Sequence, residues 1–272
     1  MRLALLSVLF IGLVISGAVR AQSENQLVLN GAFTQGSLFR GQLPQGSQVW
    51  LDEKPLTVNE QGKFVFGFAR QGALSHVLSW SLPDGTKGTR EITLAKREYA
   101  IQRIDGLDSA MVTPPASTLA RIRNDAVRVA KARSAVTQFD GVFTKFIWPA
   151  DGPITGVYGS QRVLNGKPKT PHYGVDVGAP TGTLVIAPAA GTITLAEDLY
   201  YSGNTVILDH GMGVFSTFLH LDSMAVKPGD TLSQGEVIGA IGATGRATGP
   251  HLDWRLNVGK TRVDPALLVP KR

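Results

Sequence analysis

The sequence predicts a mainly β protein with a small N-terminal β-sandwich, a connecting α-helix and a C-terminal antiparallel β-sheet. Short runs of β-forming residues recur between turns, and the 272 residues include 31 Gly and 15 Pro. Hydrophobic residues make up 43% and charged residues 18%, which excludes a disordered chain. A single amphipathic stretch with helical spacing interrupts this pattern near the middle of the chain.

The first residues, 1–21, have the pattern of a secretory signal peptide. Arg2 precedes an apolar run from Leu3 to Val19, and small residues at Val19 and Ala21 fit cleavage after Ala21. The run approaches the roughly 17 residues that span a bilayer, so an uncleaved anchor is the alternative. Polar residues follow directly, which favours cleavage. We therefore expect a periplasmic or secreted protein without stable membrane insertion after cleavage.

Residues 22–98 are expected to form the N-terminal β-domain. Five short segments alternate in polarity or carry β-forming residues, and Gly-rich or Pro-Asp-Gly turns separate them: 26–29, 48–51, 63–68, 76–80 and 91–94. No cluster of chemically active side chains stands out here. His76 lies on a predicted strand and is interpreted as a structural histidine.

Residues 99–141 are expected to form a helical linker. Ser117 can cap a helix that runs to about Ser134, and a stripe of apolar residues follows helical spacing: Leu119, Ile122, Ala126 and Val129. The other face holds mainly basic residues: Arg121, Arg123, Arg128, Lys131 and Arg133, with Asp125. Such a face can contact an anionic partner, but a solvated face is the commoner explanation. Loss of Arg2 and Arg20 with the signal peptide lowers the formal charge from +6 to +4, which suits an anionic envelope polymer, and we expect no nucleic-acid partner.

Residues 142–272 are Gly-rich and again predict strands, at 183–186, 191–195, 204–208, 214–219 and 236–239. Four of the five histidines fall here. The chain has no cysteine, which excludes disulfide scaffolds, thiolate zinc sites and cysteine nucleophiles. Any metal must therefore be held by His, Asp or Glu.

His172 and Asp176 are the first candidate pair. On a straight strand their Cα atoms would lie roughly 13 Å apart, too far for one metal ion. The two side chains can meet only if the backbone bends near Gly174, which glycine permits. A surface histidine and a turn aspartate are the alternative.

A second group follows Gly249-Pro250. Strand alternation places His251, Asp253 and Arg255 on one face and three apolar residues on the other: Leu252, Trp254 and Leu256. His220, at the end of another predicted strand, adds a third histidine, although its apolar neighbours also fit a buried structural role.

These motifs, taken in order, resemble the M23 (lysostaphin/LytM-type) zinc metallopeptidases from about Ile147 to Leu268, nearly half the chain. The matching segments are Gly156 to Arg162, His172-x-x-x-Asp176, Asp209-His210-Gly211, Phe218-Leu219-His220-Leu221, Val226 to Asp230, Gly242 to Arg246 and Gly249-Pro250-His251-Leu252. The order and spacing of several motifs make this resemblance more specific than any one of them.

The resemblance implies a LytM-like antiparallel sheet with a groove, one Zn²⁺ ion, and hydrolysis of peptide bonds in bacterial peptidoglycan, in stem peptides or cross-bridges. By the same resemblance, His172 and Asp176 match two metal ligands. His220 and His251 match the two histidines at the catalytic water, and His210 has no ligand role.

One position departs from the family pattern. The third ligand is usually the second histidine of His-x-His, and here it is Asp253. A carboxylate can bind zinc, so His172, Asp176 and Asp253 remain the expected metal ligands. Two carboxylates neutralise the dication, which predicts a weaker or differently tuned site where another divalent metal such as manganese can compete. Arg255 could instead pair with Asp253 and keep it from the metal.

Two other classes of function stay open. A non-catalytic M23-like protein could regulate or activate another cell-wall hydrolase. The segment Val226 to Gly239 also resembles lipoyl- and biotinyl-type carrier domains, but Lys227 does not lie at a hairpin tip and carriers are normally cytoplasmic. We expect a metal-dependent endopeptidase, with the regulator as its alternative.

Overall fold

The structure, a computed structural model, describes residues 26–106 and 112–272. The predicted signal peptide, residues 1–21, lies outside the described residues. The described residues separate into two compact units. The first comprises residues 26–33, 39–66 and 73–95, and the second comprises 34–38, 67–72, 96–106 and 112–272. Within the described part of the chain, no helix is both long enough and apolar enough to cross a bilayer.

The first unit is built from two antiparallel sheets, as the sandwich prediction requires. One sheet has the order β1-β2-β5 and the other β4-β3-β6-β7. The strands are β1 (Val28–Asn30), β2 (Leu38–Gln42), β3 (Gln48–Leu51), β4 (Lys54–Pro55), β5 (Lys63–Gly67), β6 (Ser75–Ser81) and β7 (Lys87–Thr93). Alternation along β6 buries Leu78 and Trp80 completely. His76 Nδ1 lies 2.6 Å from Asp52 Oδ2, a contact that fits the interpretation of His76 as a structural histidine.

The predicted helix is α1 (Leu119–Ala132), which follows a 3₁₀ turn at Ala116–Thr118. Val129 and Ala132 pack against a cluster of buried residues on the sheet, Leu195, Leu199, Ile207 and Phe215. The predicted cap was wrong by one residue, since Thr118 occupies the N-cap position and makes no side-chain capping bond.

The other helix face is not uniformly solvated. Asp125 was placed there by the sequence, but it is buried and accepts a hydrogen bond of 2.7 Å from the backbone N–H of Tyr200. Arg133 is half-buried. The helix packs on the sheet through its apolar stripe. Asp125 and Arg133 lie at the edges of that stripe, so the sheet shields them from solvent.

The second unit contains one large sheet whose central path runs β17-β14-β15-β16-β19-β12-β9. Its strands are β9 (Ile154–Gly156), β12 (Val175–Gly178), β13 (Leu184–Ile186), β14 (Gly191–Leu199), β15 (Gly203–Asp209), β16 (Val214–Met224), β17 (Thr231–Leu232), β18 (Val237–Ile241), β19 (His251–Val258) and β20 (Thr261–Val263). A separate small sheet joins β8 (Ile101–Ile104), β10 (Gln161–Leu164) and β11 (Lys167–Pro168). Thus part of the segment expected to be a helical linker is a strand. The mainly β fold with a connecting helix is confirmed.

Three neighbouring strands, β16, β19 and β12, carry most of the predicted site. Leu252, Trp254 and Leu256 of β19 are fully buried, which fixes the face that their polar neighbours occupy. The β12–β19 register then places Asp176 directly opposite Asp253. The two aspartates, 77 positions apart in the sequence, become cross-strand neighbours.

Candidate metal centre

His172 and Asp176 meet because the chain bends between them. The bend falls at Gly174, just before β12 begins, as the sequence predicted. The backbone N–H of His172 donates a 2.8 Å hydrogen bond to the Ser160 carbonyl, which anchors the residue ahead of the strand. His172 Nε2 then lies 3.0 Å from Asp176 Oδ1.

Asp253 completes a group of three potential ligands. Its Oδ2 lies 3.9 Å from His172 Nδ1. One ligand atom from each of His172, Asp176 and Asp253 lies within 4.8 Å of the others, and all three residues are buried. The structure therefore brings together the three residues predicted as ligands.

The chemistry of this group fits a metal ion. Both ring nitrogens of His172 and Oδ1 of Asp176 are buried without a hydrogen-bond partner, even though Nε2 and Oδ1 are only 3.0 Å apart. Two atoms that bind one zinc ion at about 2.0–2.1 Å in tetrahedral geometry lie about 3.3 Å apart. Unpaired buried polar atoms are costly, and a shared cation would satisfy them.

A glycine lies against each carboxylate. A Cβ at Gly156, opposite Asp176 on β9, would lie 2.1 Å from Asp176 Oδ2. A Cβ at Gly174 would lie 2.4 Å from Asp253 Oδ1. Both positions therefore need a residue without a side chain, because any larger residue would displace an aspartate.

Each aspartate also has its own arginine. Arg162 donates from Nη2 to Asp176 Oδ2 at 3.1 Å, whereas Arg255 donates to both oxygens of Asp253, at 3.0 Å from Nε and 2.6 Å from Nη2. Burial disfavours the ionised form of Asp253, but Arg255 and then His172 outweigh burial and hold the pKa of this carboxyl well below its usual range. The pairing of Arg255 with Asp253, considered from the sequence, is present.

His220 sits at a β-bulge rather than at the end of a strand, since β16 continues to Met224. Between the pairs Val206–Phe218 and Asn204–Leu221, β16 has one extra residue, and His220 adopts a left-handed φ of 63°. A bulge of this kind redirects a side chain, and left-handed backbone at a non-glycine residue is often found at functional sites.

The Nδ1–H of His220 donates to the Thr244 carbonyl at 2.8 Å, which leaves Nε2 as the proton acceptor of the neutral ring. Burial is the main reason that the pKa of His220 falls to about 4; Asp253 opposes the shift and His251 adds to it. The imidazole is therefore neutral near pH 7.

His251 is held in the same way, because its Nδ1–H donates to the Gly249 carbonyl at 2.9 Å. The His220 and His251 rings are 4.9 Å apart between centroids. Both histidines line a groove of about 270 Å³. Asp176 lines the same groove, as do Gln102 and Ile104 of β8. The two histidines predicted at the catalytic water thus face the groove that one member of the ligand group, Asp176, also lines.

His210 has a structural place. It is completely buried, and its ring nitrogens lie 2.9 Å from the Ala190 carbonyl and 2.8 Å from Ser216 Oγ. Sequence reasoning missed the contact of Arg162 with Asp176, since the arginine lies 14 residues upstream on another strand. It also missed the Thr244 and Gly249 carbonyls that orient the two site histidines, because backbone acceptors leave no residue-type signal.

Comparison with known proteins agrees with this geometry. The sequence model of Peptidase family M23 matches residues 170–265. The peptidoglycan DD-endopeptidase ShyA of Vibrio cholerae is 38% identical over 109 residues, which are 38% of this chain and 25% of that protein. An uncharacterised metalloprotease of Haemophilus influenzae is 31% identical over 250 residues, 89% of this chain and 50% of that protein.

A crystal structure from Pseudomonas aeruginosa, described as a peptidase M23, superimposes with a TM-score of 0.67 at 27% identity. It covers 87% of this chain and 94% of that one. The chain spans a quarter to a half of the length of the two curated relatives. The matched residues 170–265 include His172, Asp176, His220, His251 and Asp253. Over residues 170–265, which carry the candidate site, the chain thus matches peptidase family M23.

Proposed function

We propose that this protein is an exported, metal-dependent endopeptidase that hydrolyses peptide bonds of bacterial peptidoglycan. The observation that carries the proposal is a cluster of three buried ligand groups with nitrogen and oxygen atoms that lack hydrogen-bond partners. One of them, Asp176, lines the same groove as two oriented histidines. Perturbed and unsatisfied groups that converge in a groove are a common mark of a reaction centre.

His172, Asp176 and Asp253 would hold the metal, a Zn²⁺ ion or another divalent cation. When bound, the ion supplies Lewis acidity that activates water and polarises the scissile carbonyl. Asp176 contributes the oxygen that no protein donor occupies, and His172 contributes a ring nitrogen. Asp253 keeps its remaining lone pairs while Arg255 fixes the carboxylate plane.

The two histidines would handle the proton. His220 accepts it at Nε2, since Nδ1 is committed to the Thr244 carbonyl, and then carries the positive charge in the site. His251, whose Nδ1–H donates to the Gly249 carbonyl, would donate a hydrogen bond from Nε2 to the developing oxyanion only as the imidazolium, so we assign it this role in its protonated form. His220, once protonated at Nε2, would return that proton to the leaving amine, which restores its neutral ring.

Arg255 offsets the charge of the unusual third ligand. With the guanidinium included, the four side chains His172, Asp176, Asp253 and Arg255 carry one net negative charge. That equals the charge of the two histidines and one aspartate usual in the family. The loss of Lewis acidity expected from a second carboxylate is therefore smaller when Arg255 shares the charge of Asp253, although the same guanidinium lowers the affinity for the cation.

Peptidoglycan is the proposed substrate because the relative ShyA, which is 38% identical over 109 residues, is a peptidoglycan DD-endopeptidase. Stem peptides or cross-bridges would enter the groove beside Asp176. Export to the periplasm or beyond is supported by Arg2, the apolar run that follows and the small residue at Ala21.

A second candidate function rests on one contact. Arg255 occupies both oxygens of Asp253, and in the absence of metal this buried ion pair would be complete by itself. A protein that keeps the groove but binds no metal could act as a regulator of another cell-wall hydrolase.

The deciding experiment incubates residues 22–272 with isolated peptidoglycan and follows released peptides by mass spectrometry, with chelator and with added zinc. Bound metal is measured in parallel by elemental analysis. We expect one metal ion per chain and cleavage that chelator abolishes. The His220→Ala variant should lose cleavage by at least 100-fold while retaining metal, since proton transfer contributes about 10²–10⁴-fold.

The matched control is His76→Ala, which changes a histidine of the first unit outside the groove and should leave cleavage unchanged. Absence of both bound metal and cleavage at neutral pH and saturating zinc would reject the enzyme in favour of the regulator. Metal binding without cleavage would reject peptidoglycan as the substrate under these conditions.

A further inference from the structure

A second cavity, of about 250 Å³, adjoins the groove and is lined by five arginines: Arg133, Arg162, Arg246, Arg255 and Arg262. We call it the arginine cavity. Three of its lining residues, Arg162, His220 and Arg246, also line the groove that holds the proposed catalytic histidines. The arginine cavity therefore adjoins the groove at His220, the proposed proton acceptor.

The arginines of the cavity differ in whether an acid is paired with them. Arg162 and Arg255 are paired with Asp176 and Asp253. Among the described residues, no carboxylate lies within salt-bridge distance of Arg133 or Arg262. Arg133 donates from Nη2 to Thr217 Oγ1 at 2.5 Å, and its buried Nε has no hydrogen-bond partner.

Burial and the concentration of like charge both disfavour the charged guanidinium groups. Burial, followed by the neighbouring Arg262 and Arg255, lowers the pKa of Arg133 to about 9. Burial and Arg255 also lower the pKa of Arg262. Like charges that share a poorly hydrated space repel one another, and an anion placed among them removes that penalty.

The geometry also favours a particular kind of anion. Arg133 is at the C-cap of α1 and Arg262 is in β20, so the cavity wall joins two rigid elements. Planar guanidinium groups bind a planar carboxylate through paired hydrogen bonds. The volume of the cavity admits a single residue or terminal group rather than a sugar chain.

We propose that the arginine cavity binds a free carboxylate on a residue next to the scissile bond, held by Arg133 and Arg262. The inference rests on the proposed function for the peptide nature of the ligand. The inference implies that the substrates are acidic peptides. It also predicts that an amide in place of that carboxylate weakens binding.

The test compares two peptides, Nα,Nε-diacetyl-Lys-D-Ala-D-Ala with a free C-terminal carboxylate and the same peptide with a C-terminal carboxamide. Binding is measured by calorimetry on zinc-supplemented residues 22–272 carrying His251→Ala, which suppresses turnover and does not change the lining of the arginine cavity. We expect the acid to bind at least 10-fold more tightly than the amide, as charge-assisted hydrogen bonds imply.

Arg133→Met and Arg262→Met should each reduce the preference to less than 3-fold, whereas Arg133→Lys should keep part of it. The matched control is Arg123→Met, an exposed arginine on the same helix, which should keep the full preference. Melting temperatures establish that the variants fold. Arg133→Met should melt no lower than the parent because it removes an unpaired charge.

Equal binding of acid and amide, or a preference that survives both Met substitutions, would overturn the inference. Inorganic phosphate is titrated separately; if it binds more tightly than the acid peptide and loses binding in both variants, the cavity is a phosphate site and the inference also fails. A preference that depends on Arg133 and Arg262 in a protein that cleaves no peptidoglycan would uphold this site and reject only the proposed function.

Discussion

Asp176 and Asp253 face each other across β12 and β19, each against a glycine and each beside an arginine, but their surroundings differ. Asp176 gives one oxygen to Arg162 and leaves Oδ1 without a partner. Asp253 is completely buried and gives both oxygens to Arg255. The same residue type is thus poised for a cation at one position and already neutralised by a guanidinium at the other.

The difference shows what an arginine contributes to a metal-ligand position. A carboxylate oxygen without a hydrogen-bond donor can bind a metal ion through its lone pairs. Without the metal, nothing compensates the desolvation of that oxygen. A carboxylate in a bidentate ion pair is stable without metal and is held in one orientation. Asp176 is therefore expected to provide affinity for the metal, and Asp253 to provide structure as well as a ligand atom.

The largest expected effect is on stability. Asp253→Ala removes the partner of a guanidinium that is 24% exposed, and breaking a buried pair from one side costs about 3–5 kcal/mol. Asp176→Ala should cost about 1–2 kcal/mol, because it breaks one hydrogen bond to Arg162 at the groove wall. Urea unfolding in the presence of chelator measures both free energies of unfolding.

A double variant, Asp253→Ala with Arg255→Met, separates the ion pair from simple loss of volume. It should recover most of the stability that the single Asp253 substitution loses, because no charge remains buried without a partner. Equal destabilisation by the two single aspartate substitutions would contradict the proposed asymmetry.

The next effect concerns metal dependence. Arg255→Met leaves the Asp253 carboxylate buried without a counter-charge, so the metal becomes its main partner. Zinc at about 100 times its Kd stabilises a folded protein by about 2.7 kcal/mol, provided that it does not bind the unfolded chain. We expect tighter zinc binding, by about 10-fold, in Arg255→Met than in the parent, measured by competition with a chromophoric chelator.

The corresponding Arg162→Met variant is the matched comparison. Asp176 already has an oxygen to offer, so its affinity gain should be less than 3-fold. If the two arginine substitutions change zinc affinity equally, Arg255 does not restrain Asp253 more than Arg162 restrains Asp176.

A further effect, on metal content more than on stability, should come from the glycine that faces Asp176. Gly156→Ala would place a methyl group 2.1 Å from Asp176 Oδ2, so the carboxylate must move. Overpacking of this kind costs about 1–3 kcal/mol. We expect bound zinc to fall well below one ion per chain while the circular dichroism spectrum is retained. Gly166→Ala, a turn glycine with open space around it and a φ of 74°, is the control: it costs backbone strain without loss of metal.

The mainly β fold and the helix between the two parts were already evident in the sequence, which also supplied the candidate site residues. Strand alternation placed Asp253 opposite to Trp254, and the glycine at position 174 marked the bend that joins His172 to Asp176. These predictions succeeded because periodicity and glycine conformations are local properties of the chain. The family motifs added His220 and His251, which no periodicity would have assigned to chemistry.

Only the tertiary structure decided how those residues are coupled. The register of β12 and β19 aligns Asp176 with Asp253, and the bulge in β16 turns His220 into the groove. The arginine cavity depends on residues 133, 162, 246, 255 and 262, which the sequence distributes over a helix, strands and loops. Arg133 looked like part of a solvated helix face, and it became a wall of this cavity because the helix packs on the sheet. The sequence specifies which side chains are charged. Their burial and their partners depend on which distant segments pack together.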